Sequence, residues 1–391
     1  MSEAMTKPVK RTKPAAAERV FVGIDDGHSE IKVAYFADGR AGEIKEFSFP
    51  SRVVDGYVEM DTDGGMPPNF YVLPDDASAA GGAIPPNAVT MTVLRRGQAG
   101  STSGAGSIDP RYATSYRNRV LVKHALWLLA EQFPNATFDI RTTLPYSDFY
   151  KPGGGRNDAL IEAKIANVAR PAMRVRAEGT AATLVPEPFT LGSHVVQSEG
   201  LAAFFDLMLA YDPKGGLTPD AEFAARFEDD ATGFLVVDVG GKTTDVVFGD
   251  WRMNEHPRLM PQKSRSLEYG VLGLSERFGL VVSAALDGVK VPDPESVLMS
   301  RRIRRFGASV DVGEHVDREA ASYGKEIFSQ IAQPLKEAET YLSAVVLVGG
   351  GSQVLGPTLR EEFGKWAVLQ PNEPRFANAR GLLKLALAQA E

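Results

Sequence analysis

Two carboxylates, each followed two residues later by a glycine, stand in matching surroundings far apart in this chain. Val20 to Val33 reads as an apolar strand, then Asp25, Asp26, Gly27, His28 and Ser29, then a second strand carrying Lys32. Phe234 to Val247 repeats the plan, with Asp238, Gly240, Gly241, Lys242, Thr243 and Thr244 at its turn. In register, Asp25 matches Asp238 and Gly27 matches Gly240. A buried strand that ends on a carboxylate and reverses at glycine is suited to hold a metal-bound phosphate. Glycine lets backbone N–H groups reach phosphate oxygens, and hydroxyls supply further donors. The aspartates would repel phosphate directly, so they face Mg²⁺ and its waters. Two such hairpins imply two related half-domains that clasp one nucleotide between them.

Gly241, Lys242 and Thr243 look like the end of a Walker loop, but the pattern fails twice. It requires a glycine five residues before Gly241, where Val236 stands within a strand. A strand also follows the loop, where a helix is needed. A third element, Val345 to Ser352, is an apolar strand running into Gly349, Gly350 and Gly351 and then a helix. These glycines permit close approach of a base or ribose, with a helix N-terminus beside it. The dinucleotide fingerprint is excluded, because its final glycine would fall at Val354. Each element is common alone; the order hairpin, hairpin, strand–glycines–helix is far more specific.

Positioning these loops takes two successive α/β blocks. In the first, three strands are expected over 20–49, with turns at Asp26–Gly27 and Asp38–Gly39. The segment 55–115, rich in Gly, Pro, Ala and Ser, predicts a loop-rich insertion with short strands such as Val89 to Leu94. Helices over 116–133 and 157–169 flank a strand over 138–144, and a short strand over 183–186 precedes a helix over 193–209. The second block has strands over 234–239, 245–250, 262–267 and 344–348, with helices over 271–286, 317–342 and from Gln353. Arg301, Arg302, Arg304 and Arg305 form the densest basic cluster and read as a solvated helix face. The boundaries follow: a basic tail 1–19, a first domain 20–189, a second domain 190–374, and a C-terminal helix within 375–391 that returns to the first domain.

With 391 residues the chain is long enough for two cores. Its 43% hydrophobic and 24% charged residues are those of an ordinary soluble protein. A net charge of −7 disfavours nucleic-acid binding by the body. The absence of cysteine excludes disulfides and thiolate metal sites and fits a cytoplasmic location. No apolar run is long enough for a membrane span, and 1–19 lacks a signal-peptide core, so no membrane partner is expected.

Further residues carry a family resemblance. They are His124–Leu126, Thr143–Pro145 with Asp148–Tyr150, Val185–Pro188, Thr244–Asp245 and Gly270–Gly273, together with the three glycine elements. In this order they resemble the superfamily of actin, the heat-shock ATPase chaperones and the sugar kinases. Within it the chain is most similar to the ParM/StbA group of bacterial actin-like plasmid-segregation proteins. The resemblance runs from Val20 to the C-terminus and is weakest over 55–115. It implies an actin-like α/β fold, two duplicated domains around a nucleotide cleft. It implies that Asp25 and Asp238 hold Mg²⁺ through water, that Lys32 contacts the β-phosphate, and that Gly349 and Gly350 lie against adenosine. Glu187 takes the place of the carboxylate that orients the attacking water, with Asp26 at the variable middle of the first motif. His28 replaces a small hydroxyl residue, leaving its backbone N–H for phosphate, and Lys242 replaces a small residue and faces solvent.

The function so implied is a filament-forming ATPase that segregates plasmid DNA. It uses ATP, or GTP, because the motifs fix phosphates more firmly than they fix a base. Its partners would be further copies of itself and a DNA-binding adaptor, with no direct sequence-specific DNA binding. A small-molecule kinase would share the three motifs but needs a catalytic acid in the first domain, and Thr142 to Pro145 offers none. A membrane-tethered scaffold would need a cationic amphipathic tail, which the C-terminal helix is not. An actin-like filament with another cargo shares every motif.

Overall fold

The computed structural model describes residues 18–58, 69–75, 77–95, 111–178, 181–227, 232–252, 255–291 and 293–390. The segment 1–17 and much of the insertion lie outside them. β1 (Arg19–Asp26), β2 (Glu30–Phe36) and β3 (Ile44–Pro50) form an antiparallel meander. β4 (Val53–Asp55) leads into the insertion, which supplies β5 (Phe70–Leu73) and β6 (Val89–Val93). α1 (Tyr116–Gln132), capped by the Ser115 side chain, leads to β7 (Thr137–Leu144), α2 (Tyr146–Phe149) and α3 (Asp158–Ala169). β8 (Met173–Glu178) and β9 (Ala181–Val185) then join the insertion strands in a sheet ordered β4-β6-β5-β8-β9. The short strand expected near 89–94 is β6, and with its neighbours it builds a five-stranded sheet that the glycine-rich composition does not announce.

β10 (Thr190–Ser198) completes the first main sheet, ordered β10-β7-β1-β2-β3, with β10, β7 and β1 parallel. Alternation along β1 divides its side chains between two faces. Val20, Val22 and Ile24 pack with α1, whereas Phe21 packs with α10 (Ala377–Ala388), the last helix of the chain. The expected helix over 193–209 is thus β10 followed by α4 (Leu201–Met208). Gly200, at φ 69°, makes the break, where a side chain would press on Val247.

A small hairpin of β11 (Leu209–Asp212) and β12 (Gly216–Pro219) and the single turn α5 (Ala221–Ala224) lead into the second half. There β13 (Gly233–Val239) pairs antiparallel with β14 (Thr244–Asp250), which is flanked by β15 (Arg258–Leu259) and β16 (Arg265–Leu267). After α6 (Val271–Ala285) and α7 (Pro294–Ser300) comes a hairpin of β17 (Arg302–Arg305) and β18 (Ala308–Asp311). The arginine cluster therefore lies on a β-hairpin turned at Phe306–Gly307, not on a helix face. α8 (Gly313–Ala338) feeds β19 (Leu342–Val348), parallel to β13, and α9 (Ser352–Glu362) leads to the edge strand β20 (Val368–Leu369). Leu235, Val237 and Val239 face a core with α6, α8 and α9, while Phe234 and Val236 face α4 and Trp251. β13 meets β14 and β19 as β1 meets β2 and β7, so the two halves share one plan.

Candidate functional site

Both Asp-x-Gly turns leave the C-terminal ends of β1 and β13 and meet face to face. A Cβ on Gly241 would lie 2.6 Å from Ser29 Cβ and 2.9 Å from its nitrogen, so only glycine lets the hairpins approach. Asp25, Lys32, Glu199, Asp238, Gly240 and Gly349 line one small chamber beside this contact. It adjoins a cleft of about 350 Å³ between the halves, onto which Gly350, Gly351, Gln353 and Arg375 also open.

Asp25 and Lys32 are cross-strand partners, and Lys32 Nζ donates to Asp25 Oδ2 at 2.9 Å. Burial opposes the charge of Lys32, but Asp25 outweighs it and the ammonium is held above its ordinary pKa. Asp238 accepts from Asn378 Nδ2 at 2.6 Å, and the Asn378 carbonyl accepts from Gly200 N at 3.3 Å. Burial, then the charge of Asp25, pushes Asp238 up to about 6. Burial pushes Asp245 up to about 7. Burial, with Asp245, Asp25 and Asp238, holds Glu199 well above the carboxylate range.

Several expected residues serve elsewhere. Asp26, next to Asp25 on the strand, points to the other side and pairs with Lys164 at 2.7 Å, with Asn118 and Thr143 N also donating to it. Thr244 is fully buried, its hydroxyl donating to the Tyr269 carbonyl at 2.5 Å. Ser352 is buried and bonded to the Gly349 carbonyl at 2.7 Å, which fixes the glycine turn from behind. The His28 ring packs on Tyr112, centroids 4.4 Å apart. The Gly27 carbonyl accepts from Ser51 at 2.6 Å. Lys242 does not face open solvent: its side chain is 18% exposed, 4.0 Å from Glu268, and lines the chamber with Thr243.

Glu187 is the largest correction. It precedes β10, and its carboxylate pairs with Lys123 Nζ at 2.8 Å and accepts from Ala172 N at 2.8 Å. The turns that carry Asp25 and Asp238 lie at the opposite, C-terminal end of the parallel strands. β10 is nine residues long, so its two ends stand roughly 25 Å apart. Glu199 follows β10 directly and is the carboxylate that this strand delivers to the chamber. The sequence signal for it is an acid directly before a glycine at the end of a strand, Glu199–Gly200, without the Asp-x-Gly spacing that marks Asp25 and Asp238. The helical reading of 193–209 hid it.

The mouth of the cleft is crossed by bonds between the halves. Arg52 reaches both Asp293 oxygens at 3.2 Å, and Ser29 donates to Glu295. Arg375 lies 3.7 Å from Glu30. On the far side of Glu199, Lys242 and Thr243 lies a second chamber of about 110 Å³, reaching Asp148 and Lys164.

Among the described residues no group of three His, Cys, Asp or Glu is placed to bind a metal directly. Asp25, Asp238 and Glu199 nevertheless gather with Lys32 in one chamber, with Asp245 acting on Glu199 from behind, and burial and mutual repulsion push Asp238, Glu199 and Asp245 toward the neutral form. That donor set fits a hydrated divalent cation, held through water by Asp25 and Asp238, together with a phosphate chain cradled by the glycine turns.

The family model for the archaeal actin homologue MreB-like C-terminal domain matches residues 236–361. No curated protein matches the chain in sequence. Ta0583, an archaeal actin homologue, superposes with a TM-score of 0.66 at 20% identity, covering 95% of this chain and 100% of its own. A 15-stranded ParM filament from Clostridium botulinum gives 0.66 at 18% identity, covering 95% and 99%. Bacillus thuringiensis ParM with ATP gives 0.65 at 12% identity, covering 96% and 100%. The fold is that of actin: two duplicated α/β halves around a cleft.

Proposed function

We propose that this chain is a Mg²⁺-dependent ATPase that assembles into filaments and moves plasmid DNA through a separate DNA-binding adaptor. The observation that carries the reading is the convergence of Asp25, Lys32, Glu199 and Asp238 on one chamber between two glycine turns. Asp25 and Asp238 would hold the hydrated metal, and the backbone N–H groups of the two turns would bind the phosphate chain. Bound Mg²⁺ would supply charge neutralisation on the phosphates during in-line attack. Lys32 offsets negative charge at the first turn. Glu199 accepts a hydrogen bond from water and so orients it for attack, the role first sought in Glu187. Gly350, without a side chain and with open space before it, leaves room for the adenosine. Closing of the cleft during assembly would bring the two turns into their hydrolytic arrangement, and hydrolysis would weaken subunit contacts through the domain angle. The structural likeness to ParM filaments supports self-assembly as the output.

A second reading, phosphoryl transfer to a small hydroxylated molecule, has the 110 Å³ chamber with Asp148 in its favour. Light scattering after addition of ATP and Mg²⁺, followed by electron microscopy and phosphate assay, separates the two. Filaments that form with ATP and shorten as phosphate appears are expected. A protein that stays monomeric and consumes ATP only with an added polyol would be a kinase.

A further inference from the structure

Away from the nucleotide cleft, the N-terminal ends of β1, β7 and β10 border a groove of about 410 Å³. Gly23, Arg141 and Val195 stand in one row across the three strands. The backbone of α10 sits directly on Gly23, where a Cβ would clash with Ala379. The helix covers β1 and β7 and stops short of the edge strand β10, where Val195 is exposed beside the buried Arg141.

Arg141 is the anomaly. Its residue is only 5% exposed, and its guanidinium donates to the neutral amide of Gln389. No carboxylate pairs with it among the described residues. Burial alone acts on it, and lowers its pKa. The nearby Asp139 carboxylate is already taken by Arg19, at 2.7 and 2.8 Å, and by Ser193. The C-terminal end of α10 offers at most a partial negative charge. A buried cation without an anion is strongly unfavourable, so such a group is retained for a partner that arrives later.

We propose that this groove docks an acidic peptide segment, one of whose carboxylates pairs with Arg141. Three guanidiniums, Arg19, Arg40 and Arg141, line the groove against the single carboxylate of Asp139, on a protein whose net charge is −7. Arg40 packs on the Phe21 ring at 4.7 Å and carries its charge at the rim. Phe21, Val195 and Ala386 give the groove an apolar wall for aliphatic neighbours of the acid. β10 is the last strand in the sheet order, so among the described residues no strand pairs with its outer edge, where a peptide backbone could add. The volume takes a few side chains, not a folded surface.

Fluorescence anisotropy with a short blocked peptide alternating leucine and glutamate tests this on the full chain. The peptide is expected to bind, more weakly at high salt, while its glutamine counterpart does not and free glutarate binds at least about tenfold more weakly. Arg141→Met and Arg40→Gln should each weaken the peptide at least about tenfold. Without peptide, Arg141→Met should melt about 2–4 °C higher, because an uncompensated buried charge has gone. That rise separates lost docking from lost folding. Unchanged binding by Arg141→Met, or a lower melting point, overturns the proposal. So does equal affinity for glutarate, which would make the ligand a small acid. So does tighter peptide binding after deletion of Glu391, which would make the chain's own terminus the occupant.

Discussion

Replacing Glu199 and Glu187 separately by glutamine distinguishes a carboxylate at the phosphates from one that holds the fold. Glu199→Gln preserves shape and removes the acceptor that orients water. Such groups contribute about 10²–10⁴-fold in rate, equivalent to about 3–5 kcal/mol of barrier. Stability should hold or rise, because the charge of Glu199 is opposed by burial and by Asp245, Asp25 and Asp238. Glu187→Gln should do the reverse. It leaves the ammonium of Lys123, 1% exposed in its side chain, with only a neutral partner. Removing one member of a buried pair costs about 3–5 kcal/mol, and an amide oxygen that still accepts from Lys123 reduces this to about 2 kcal/mol. Phosphate release with Mg-ATP and calorimetric melting, measured on both variants, give the two readouts. Normal turnover by Glu199→Gln, or a Glu187→Gln protein that melts normally and has stopped hydrolysing, would refute the argument from strand ends.

On the proposed function, Asp238→Ala should abolish Mg-dependent hydrolysis, since it removes one of the two carboxylates placed to hold the metal's waters; phosphate release measures it. With Asp238 raised to about 6 and Asp245 to about 7, the folded protein holds protons that the unfolded chain has released. Ligand-free stability should therefore fall as pH rises from about 4 to about 7, by on the order of 3 kcal/mol for Asp238 alone. Mg²⁺ with a non-hydrolysable nucleotide should flatten that slope in thermal melts. In gel shifts at physiological salt the protein should bind plasmid DNA weakly or not at all, and tight, site-specific binding lost on deleting residues 1–19 would remove the need for an adaptor.

The two Asp-x-Gly hairpins were legible because each is written locally: an apolar run, an acid, a glycine, a second apolar run. Their meeting across the cleft was legible only as a duplication. β10 was not legible, because Leu191, Val195 and Val196 do not alternate, and only the short polar step Gln197–Gly200 separates the valines from Leu201, Phe204 and Phe205. The stop is conformational, at Gly200, and a positive φ leaves no mark in a hydrophobic pattern. The arginine hairpin escaped for a related reason. Its turn puts Phe306 at φ 50°, where asparagine or glycine is the usual signal. Glu187 and Glu199 are both acids near the ends of one strand, and only the strand's direction tells them apart. The groove at Arg141 needs the end of α10 and three strands at once, which no local pattern contains.

α10 has a mechanical consequence. Its first turn holds Asp238 through Asn378, and the same turn is clamped to the other half by the Gly23–Ala379 packing and the Arg380–Glu46 bond at 2.8 Å. The helix is therefore an axle: swinging one half of the molecule on the other would twist the segment that touches Asp238. Displacement near an axle is small and grows with distance from it. A sub-ångström adjustment at Asp238 is geared up toward remote points such as Phe306, which is 95% exposed at its hairpin tip. Torque applied out there, by any neighbour that grips the tip, is delivered back to the same carboxylate.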